Sequence, residues 1–169
     1  RRQRQMCIRD RNIMIALIVA HSKNNVIGNK GRIPWNIKGE LRRYKELTTD
    51  NVVIMGRRSY EEIGKPLPNR INIVLSTTKT YEGENLITAK SLKEALDIAG
   101  DRDVYISGGE KIFEEAIHIV DKMYITLVDK VVEGDTYFPD FNEEDFDKHI
   151  DEHFYGEIPY TYMTFTRKR

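Results

Sequence analysis

The chain is almost without cysteine. Cys7 is the only one in 169 residues, so no disulfide can close within the chain and no thiolate-based zinc site can form. Long apolar runs are missing too. The stretch IMIALIVA at residues 13–20 falls well short of the roughly 20 residues that span a bilayer as a helix. Histidine is scarce: His21, His118, His149 and His153 show no tight ligand spacing. His149 and His153 are four apart but lie in a stretch that reads as strand, so no metal site is expected. Neither charge sign dominates, with 27 Lys+Arg against 27 Asp+Glu. Setting aside residues 1–13, which hold five basic residues and one acidic, leaves 22 of the basic and 26 of the acidic residues, a net charge of −4. Such a body has no general attraction for nucleic acid or an anionic membrane. What is present, 40% hydrophobic and 32% charged residues at a mean hydropathy of −0.56, suits one globular domain with a sizeable core.

Residues 1–11 read RRQRQMCIRDR, without apolar periodicity. The apolar run that follows is too short for a signal peptide and lacks a small-residue cleavage site. Residues 1–12 are therefore expected to be an extension, non-native or disordered, with Met14 as the natural first residue and 13–169 as the domain. A basic arm for nucleic acid is the functional alternative. The lack of cysteine beyond that arm fits a cytoplasmic protein.

Strands and helices alternate along the domain. Residues 13–20, 51–55, 71–75, 85–88, 104–106 and 122–128 read as strands. Helices are expected after Trp35, from Gly56 through Ile63, from the Ser91 cap to Gly100, and around Ile112 to Ile117. Ser91 with Glu94 forms a capping box. Past residue 130 the helices stop, and residues 131–138, 146–154 and 160–167 read as strands. The pattern predicts an α/β fold: a mostly parallel twisted sheet with helices on both faces and one or two antiparallel strands at the C-terminal edge. Ligands of such sheets bind beyond the carboxyl ends of the strands. Glycines and basic residues gather in loops that follow strands: 28–35, 56–59, 76–78 and 107–111.

Three features carry chemistry. In VIGNKGRIPWNIKGELRRYK (residues 26–45), Pro34 bars Ile33 from helical geometry. Ile37, Leu41 and Tyr44 then share one helical face, with Arg42 and Arg43 pointing elsewhere. Glu40 lies on or beside that apolar stripe. A carboxylate there is costly unless paired; either a nearby cation or a ligand must meet it. Second, Gly56-Arg57-Arg58-Ser59 follows a buried strand and opens a helix, which suits a phosphate; a solvated basic turn is the plain alternative. Third, Gly108-Gly109 repeats the arrangement, with Lys111 in the first turn. Two such turns at one end of a sheet imply a ligand with more than one phosphate. Neither turn is a GxGxxG fingerprint.

The order and spacing of VIGNKGRIPWN, the following helix acid, VIMGRRSYEEIGKPLPNR, NIVLS, the Gly-Gly turn, YIT and EGDTYFPDF resemble dihydrofolate reductase of the bacterial chromosomal type, from Met14 nearly to the end. The resemblance implies a central eight-stranded sheet with four flanking helices. It implies reduction of 7,8-dihydrofolate to 5,6,7,8-tetrahydrofolate by hydride from NADPH, supplying one-carbon metabolism and thymidylate synthesis. Antifolates are implied as inhibitors, and a monomer as the working form. Glu40 takes the place of the single active-site acid, which binds the pterin and does not deliver its proton directly. Trp35 matches the tryptophan that helps hold an active-site water, and Thr126 the threonine that buttresses the acid. Ile18, Ala20, Leu41, Tyr44, Ile63 and Leu67 match pocket walls, with Ser107 and Phe113 beside them. Arg70 matches the arginine that grips the α-carboxylate of the folate tail.

For NADPH, the resemblance assigns Arg57, Ser76 and Thr77 to the 2′-phosphate, and Arg58, Ser59 and Lys111 to the pyrophosphate side. Gly56, Gly108, Gly109, Glu110 and Ile112 form the turns, and Ala20, Ile27, Gly28, Ile33, Leu75 and Lys90 complete the implied cofactor contacts. The Gly108–Gly109 peptide bond is cis in the family, and residues 28–35 match a mobile lid. Three departures stand out. Ser107 sits where a large apolar residue is usual, Phe113 is often Tyr, and the N-terminal extension precedes the first strand. Two rivals are a pyrimidine reductase of riboflavin synthesis, which gives no reason for the PWN…E pairing, and a nucleotide-binding module without catalysis.

Overall fold

The computed structural model describes residues 13–35, 37 and 41–168. In chain order the elements are β1 (Ile15–Ser22), β2 (Val26–Gly28), α1 (Arg42–Thr48), β3 (Val52–Gly56), α2 (Arg57–Ile63), β4 (Ile71–Leu75), β5 (Leu86–Ala89), α3 (Leu92–Ala99), β6 (Val104–Ile106), α4 (Glu110–Ala116), β7 (Lys122–Val128), β8 (Thr136–Tyr137), β9 (Phe146–Phe154) and β10 (Tyr160–Arg167). A short 3-10 turn, Glu143–Asp145, precedes β9. Eight strands form one sheet in the order β5-β4-β3-β6-β1-β7-β10-β9, and β2 pairs with β8 in a separate ribbon. The first six of the eight are parallel, and β10 is antiparallel to both its neighbours.

Alternation along the strands divides the core into two layers. Ile15, Leu17, Val19, Val52, Ile54, Ile73, Val104 and Ile106 face α3 and α4 through Leu92, Ala95, Ala99, Phe113 and Ala116. On the other face, Val53, Met55 and Val74 pack with Tyr60 of α2, and Ala16, Ile18 and Tyr105 with Tyr44 and Leu47 of α1. The central strands are apolar on both faces because helices cover both. Ser91 caps α3 as expected, its Oγ accepting from the Glu94 N–H at 3.1 Å. The Glu94 carboxylate reaches back to the Lys90 N–H, one residue before the cap.

Several expectations need correction. The first strand is Ile15–Ser22 rather than 13–20, tied at its start by the Ile15 N–H donating to Asp121 Oδ2. Val26–Gly28, expected as loop, is a strand because β8 supplies its partner. Of residues 131–138 only Thr136–Tyr137 is strand. Before it, the Asn24 side chain satisfies both backbone groups of Val132, taking the place of a neighbouring strand. Ile37 lies outside the helix, which runs from Arg42, and Leu41 is 63% exposed. Arg43, expected to point away, is turned inward with its side chain only 12% exposed.

Candidate active site

The sheet order creates a crevice. β3 continues through α2 to β4, toward one edge, whereas β6 continues through α4 toward β7 at the other. β3 and β6 are parallel neighbours, so their exits diverge onto opposite faces. Such a switch point is where open α/β sheets bind ligands. Both glycine turns stand there. The Gly56 N–H donates to the Gly108 carbonyl at 2.9 Å. A Cβ on Gly56 would lie 3.0 Å from Ile112 Cδ1, and one on Gly108 would lie 3.5 Å from both Ser59 Oγ and Phe113 Cε2. The Gly108–Gly109 peptide bond is cis, and Gly108 adopts a φ of 121°, which favours glycine. The cradle is lined by bare backbone, with Ser59, Ile112 and Phe113 closing its sides.

The other cofactor candidates surround this cradle unevenly. Arg57 is half-buried and pairs with Glu61, while Arg58, Thr77, Lys90 and Lys111 are exposed. Ser76 is buried, and its Oγ accepts from the N–H groups of Thr78 and Lys79. Glu110 receives the Tyr137 N–H at 3.2 Å. Ile27 and Leu75 pack against the larger core layer, and Ile33 is half exposed.

The substrate candidates gather on the α1/α2 face of the sheet. Ala20 on β1 pairs with Thr126 on β7, which pairs in turn with Tyr162 on β10. Ile18 lies one step back along the same face and is buried, as is Thr126. Tyr44 reaches this layer from α1. Burial pushes the Tyr44 phenol up, and the Ser107 hydroxyl and the Arg70 charge act in the opposite sense, bringing these three expected residues into one neighbourhood. Arg70 is buried, its Nε donating to the Pro68 carbonyl at 3.0 Å. Leu67 packs beside Tyr60, and Ile63 is 42% exposed. Phe113 is buried on the opposite face, against Gly108 and Phe138. Glu40 lies outside the described residues.

Residues 14–167 match the family model described as dihydrofolate reductase. The dihydrofolate reductase of Staphylococcus aureus (strain Mu50) is 36% identical over 161 residues, covering 92% of this chain and 99% of that one. Dihydrofolate reductase type 3 of Salmonella typhimurium is 40% identical over 130 residues, covering 76% and 80%. A solved dihydrofolate reductase from Enterococcus faecalis, complexed with NADP(H) and RAB-propyl, superposes with a TM-score of 0.85 at 32% identity, covering 92% of this chain and 97% of that one. This chain belongs to the dihydrofolate reductase family. Its reaction is the NADPH-dependent reduction of dihydrofolate to tetrahydrofolate, a step of one-carbon metabolism.

In this reductase the loop of residues 28–35 is tied down at its start. The Asp135 N–H donates to the Gly28 carbonyl at 3.1 Å, and Asp135 Oδ2 accepts from the Lys30 N–H at 3.0 Å. The loop's far end carries Trp35, whose indole N–H is buried without a hydrogen-bond partner among the described residues. A cavity of about 700 Å³ opens between this loop and residues 130–133, lined by Trp35, Arg32, Lys130 and Glu133 among others.

Three residues of the reductase escaped the sequence reading. Asp135 is one. Another is Arg43, whose guanidinium lies against Tyr124 and Tyr162 and bonds Asp151 and Thr164. The third is Asn72, fully buried on β4, which holds the connection leading to Arg70. Only Asn72 left a local signal: a polar amide inside the apolar strand INIVL.

Proposed function

We propose that the α1/α2 face and the crevice at the switch point divide the reaction between them, pterin on the first and cofactor in the second. Glu40 receives two parallel hydrogen bonds from the pterin's amino group and ring N–H, a pairing that suits a carboxylate. Thr126 braces that acid, and the Trp35 N–H donates to a water beside the pterin. Ile18, Ala20, Leu41, Tyr44, Ile63 and Leu67 wall the ring and its aminobenzoyl extension. Arg70 grips the α-carboxylate in a forked pairing that lysine could not make. Antifolates compete for the same pocket.

NADPH supplies the hydride when bound. The chain's part is to hold that cofactor against the pterin and keep water out. Ser59 and the Gly108–Gly109 turn cradle the pyrophosphate by backbone, Gly56 leaving room for its approach, with Arg58 and Lys111 adding charge. Arg57, Ser76 and Thr77 take the 2′-phosphate. The Ser76 hydroxyl already accepts two backbone N–H bonds, so its own hydrogen remains to donate to an anion. The observation carrying this reading is the 2.9 Å bond from Gly56 to Gly108, which joins two glycine turns into one anion cradle. The enzyme works as a cytoplasmic monomer; among the described residues no helix is long and apolar enough to cross a membrane.

The test is dihydrofolate-dependent loss of the reduced-nicotinamide absorbance, with Glu40→Gln as the variant. The variant should fold and lose most turnover, with a deficit that shrinks at low pH, where substrate is protonated beforehand. A deficit flat with pH counts against the role given to Glu40.

A further inference from the structure

Glu61 gathers donors from two separate segments. Its carboxylate accepts from the Tyr81 hydroxyl, lies 3.4 Å from Arg57 Nη1, and lies 3.5 Å from Lys79 Nζ. Arg57 stands one helical turn before Glu61 on α2, whereas Lys79 and Tyr81 belong to the loop after β4. β3 and β4 are parallel neighbours with Gly56 opposite Leu75, so both segments leave the same rim of the sheet. The loop is firmly held. The Lys79 N–H donates to Ser76 Oγ at 3.0 Å. Thr88 Oγ1 accepts from the Tyr81 N–H and donates to the Tyr81 carbonyl, both at 2.7 Å. The Tyr81 ring stands edge-on to Tyr60 at 5.0 Å. Two cations on fixed backbone therefore converge on one anionic point, immediately beside Ser76.

We infer that Glu61 is an internal competitor for the cofactor's 2′-phosphate, and that Lys79 is a second cation for that phosphate beside Arg57. The inference rests on the placement of the 2′-phosphate at Arg57 and Ser76 proposed above. In the free enzyme the carboxylate partners both cations. A phosphate asks the same of its donors and carries more charge, so NADPH takes over Arg57 and Lys79 while Tyr81 keeps its bond to Glu61. NADH, lacking that phosphate, leaves the ion pairs in place. The Tyr81 hydrogen bond, the largest influence, holds Glu61 below the usual carboxylate range; desolvation opposes it, and the Lys79 and Arg57 charges add to it, so the competitor stays anionic near neutral pH. Glu61 thus weakens NADPH binding selectively, and with it the preference for NADPH over NADH.

The experiment measures dissociation constants of NADPH, NADH, adenosine 2′,5′-bisphosphate and adenosine 5′-monophosphate for the wild type, Glu61→Gln, Lys79→Met and Arg57→Ala. Glu61 is exposed, and glutamine keeps an acceptor for Tyr81, so the fold is preserved. Glu61→Gln should tighten NADPH and the bisphosphate by about three- to tenfold, in line with two exposed ion pairs, and leave NADH and the monophosphate unchanged. Lys79→Met should weaken the same first pair alone. A Glu61→Gln enzyme with an unchanged NADPH-to-NADH ratio, or with weakened NADPH, overturns the inference. Arg57→Ala separates the two levels. If it loses NADPH selectively while Glu61→Gln is silent, only the competitor idea falls. If it loses both cofactors equally, the 2′-phosphate site lies elsewhere and the inference falls with it.

Discussion

Leu67 and Asn72 exchange two hydrogen bonds: the Leu67 N–H donates to Asn72 Oδ1 at 2.9 Å, and Asn72 Nδ2 donates back to the Leu67 carbonyl at 3.0 Å. The same amide nitrogen also reaches the carbonyls of Arg70 and Asn85. One fully buried β4 side chain therefore fixes the connection that carries both Leu67 and Arg70. Asn72→Ala leaves several of these groups unpaired, at a total cost of about 2–4 kcal/mol. Urea unfolding should show that loss. Steady-state kinetics should show a raised KM for dihydrofolate with the KM for NADPH near wild type; a KM for dihydrofolate that stayed put would separate Asn72 from the tail site.

Arg43 stacks between two rings, its guanidinium carbon 4.8 Å from the Tyr162 centroid and 5.2 Å from that of Tyr124. It also donates to Asp151 Oδ2 and Thr164 Oγ1, both at 2.9 Å. These contacts pin α1 to β7, β9 and β10. Arg43→Leu should cost about 1–3 kcal/mol, from the stacked cation and the partners left behind, as read by thermal or urea unfolding.

The Asp151 carboxylate adds a pH dependence. Partial burial raises its pKa, but hydrogen bonds from Thr164 and His149 and the Arg43 charge outweigh that and hold it below the ordinary range. A folded-state pKa below the unfolded one stabilises the fold above the unfolded value, about 3.9 for Asp. That contribution disappears as pH falls through the folded value. Asp151→Asn should therefore destabilise at neutral pH and converge with the wild type in acid, once the pH has fallen through the folded-state value. Parallel urea titrations at neutral and acid pH check this, and a gap that persists undiminished in acid argues against it.

Trp35 yields a prediction about activity and not about stability. Its buried indole N–H lacks a protein partner among the described residues, which suits the water-holding role proposed above. Trp35→Phe removes the donor and keeps most of the ring. The ligand-free enzyme should stay folded, while turnover of dihydrofolate falls. An enzyme equally active after the change would show that the N–H does nothing for the substrate.

Gly134 has no room for a methyl group. A Cβ there would fall 2.2 Å from Val26 Cγ1 and 2.7 Å from the Gly28 carbonyl oxygen. That carbonyl is the acceptor for Asp135, so any shift is passed to the base of the 28–35 loop, the lid that the family resemblance implies. Gly134→Ala should cost about 1–3 kcal/mol by overpacking and slow the single-turnover rate as well, although Gly134 carries no functional group. Stopped-flow single turnovers would test it; an unaltered rate in a destabilised protein would uncouple this ribbon from the lid.

Most of the fold was legible because its signals are local. IMIALIVA, NVVIM and INIVL are too apolar to lie anywhere but between two helical layers, and the Ser91–Glu94 spacing announces a helix start. The glycine turns were readable for the same reason. Composition alone did not reveal the family; the ordered motifs from VIGNKGRIPWN to EGDTYFPDF did. Val131 to Asp135 was misread because an alternating pattern cannot tell a paired strand from a loop pinned by one asparagine side chain. Arg43 was misread because its amino-acid type suggests solvent, and its pairing depends on Tyr124, Asp151 and Tyr162, far along the chain.

Backbone preference and hydrophobic period act over a few residues, so the amino-acid order by itself determined the buried central strands, the start of the Ser91-capped helix and which turns demand glycine. Tertiary structure alone decided which loops share a rim: β6 slots between β3 and β1, which sets Gly56 against Gly108, and the separate pairing of β2 with β8 sets Asp135 against Gly28. The reason is that contacts between distant segments follow from how whole faces are buried together, a choice made by the assembled sheet and not by any stretch of it.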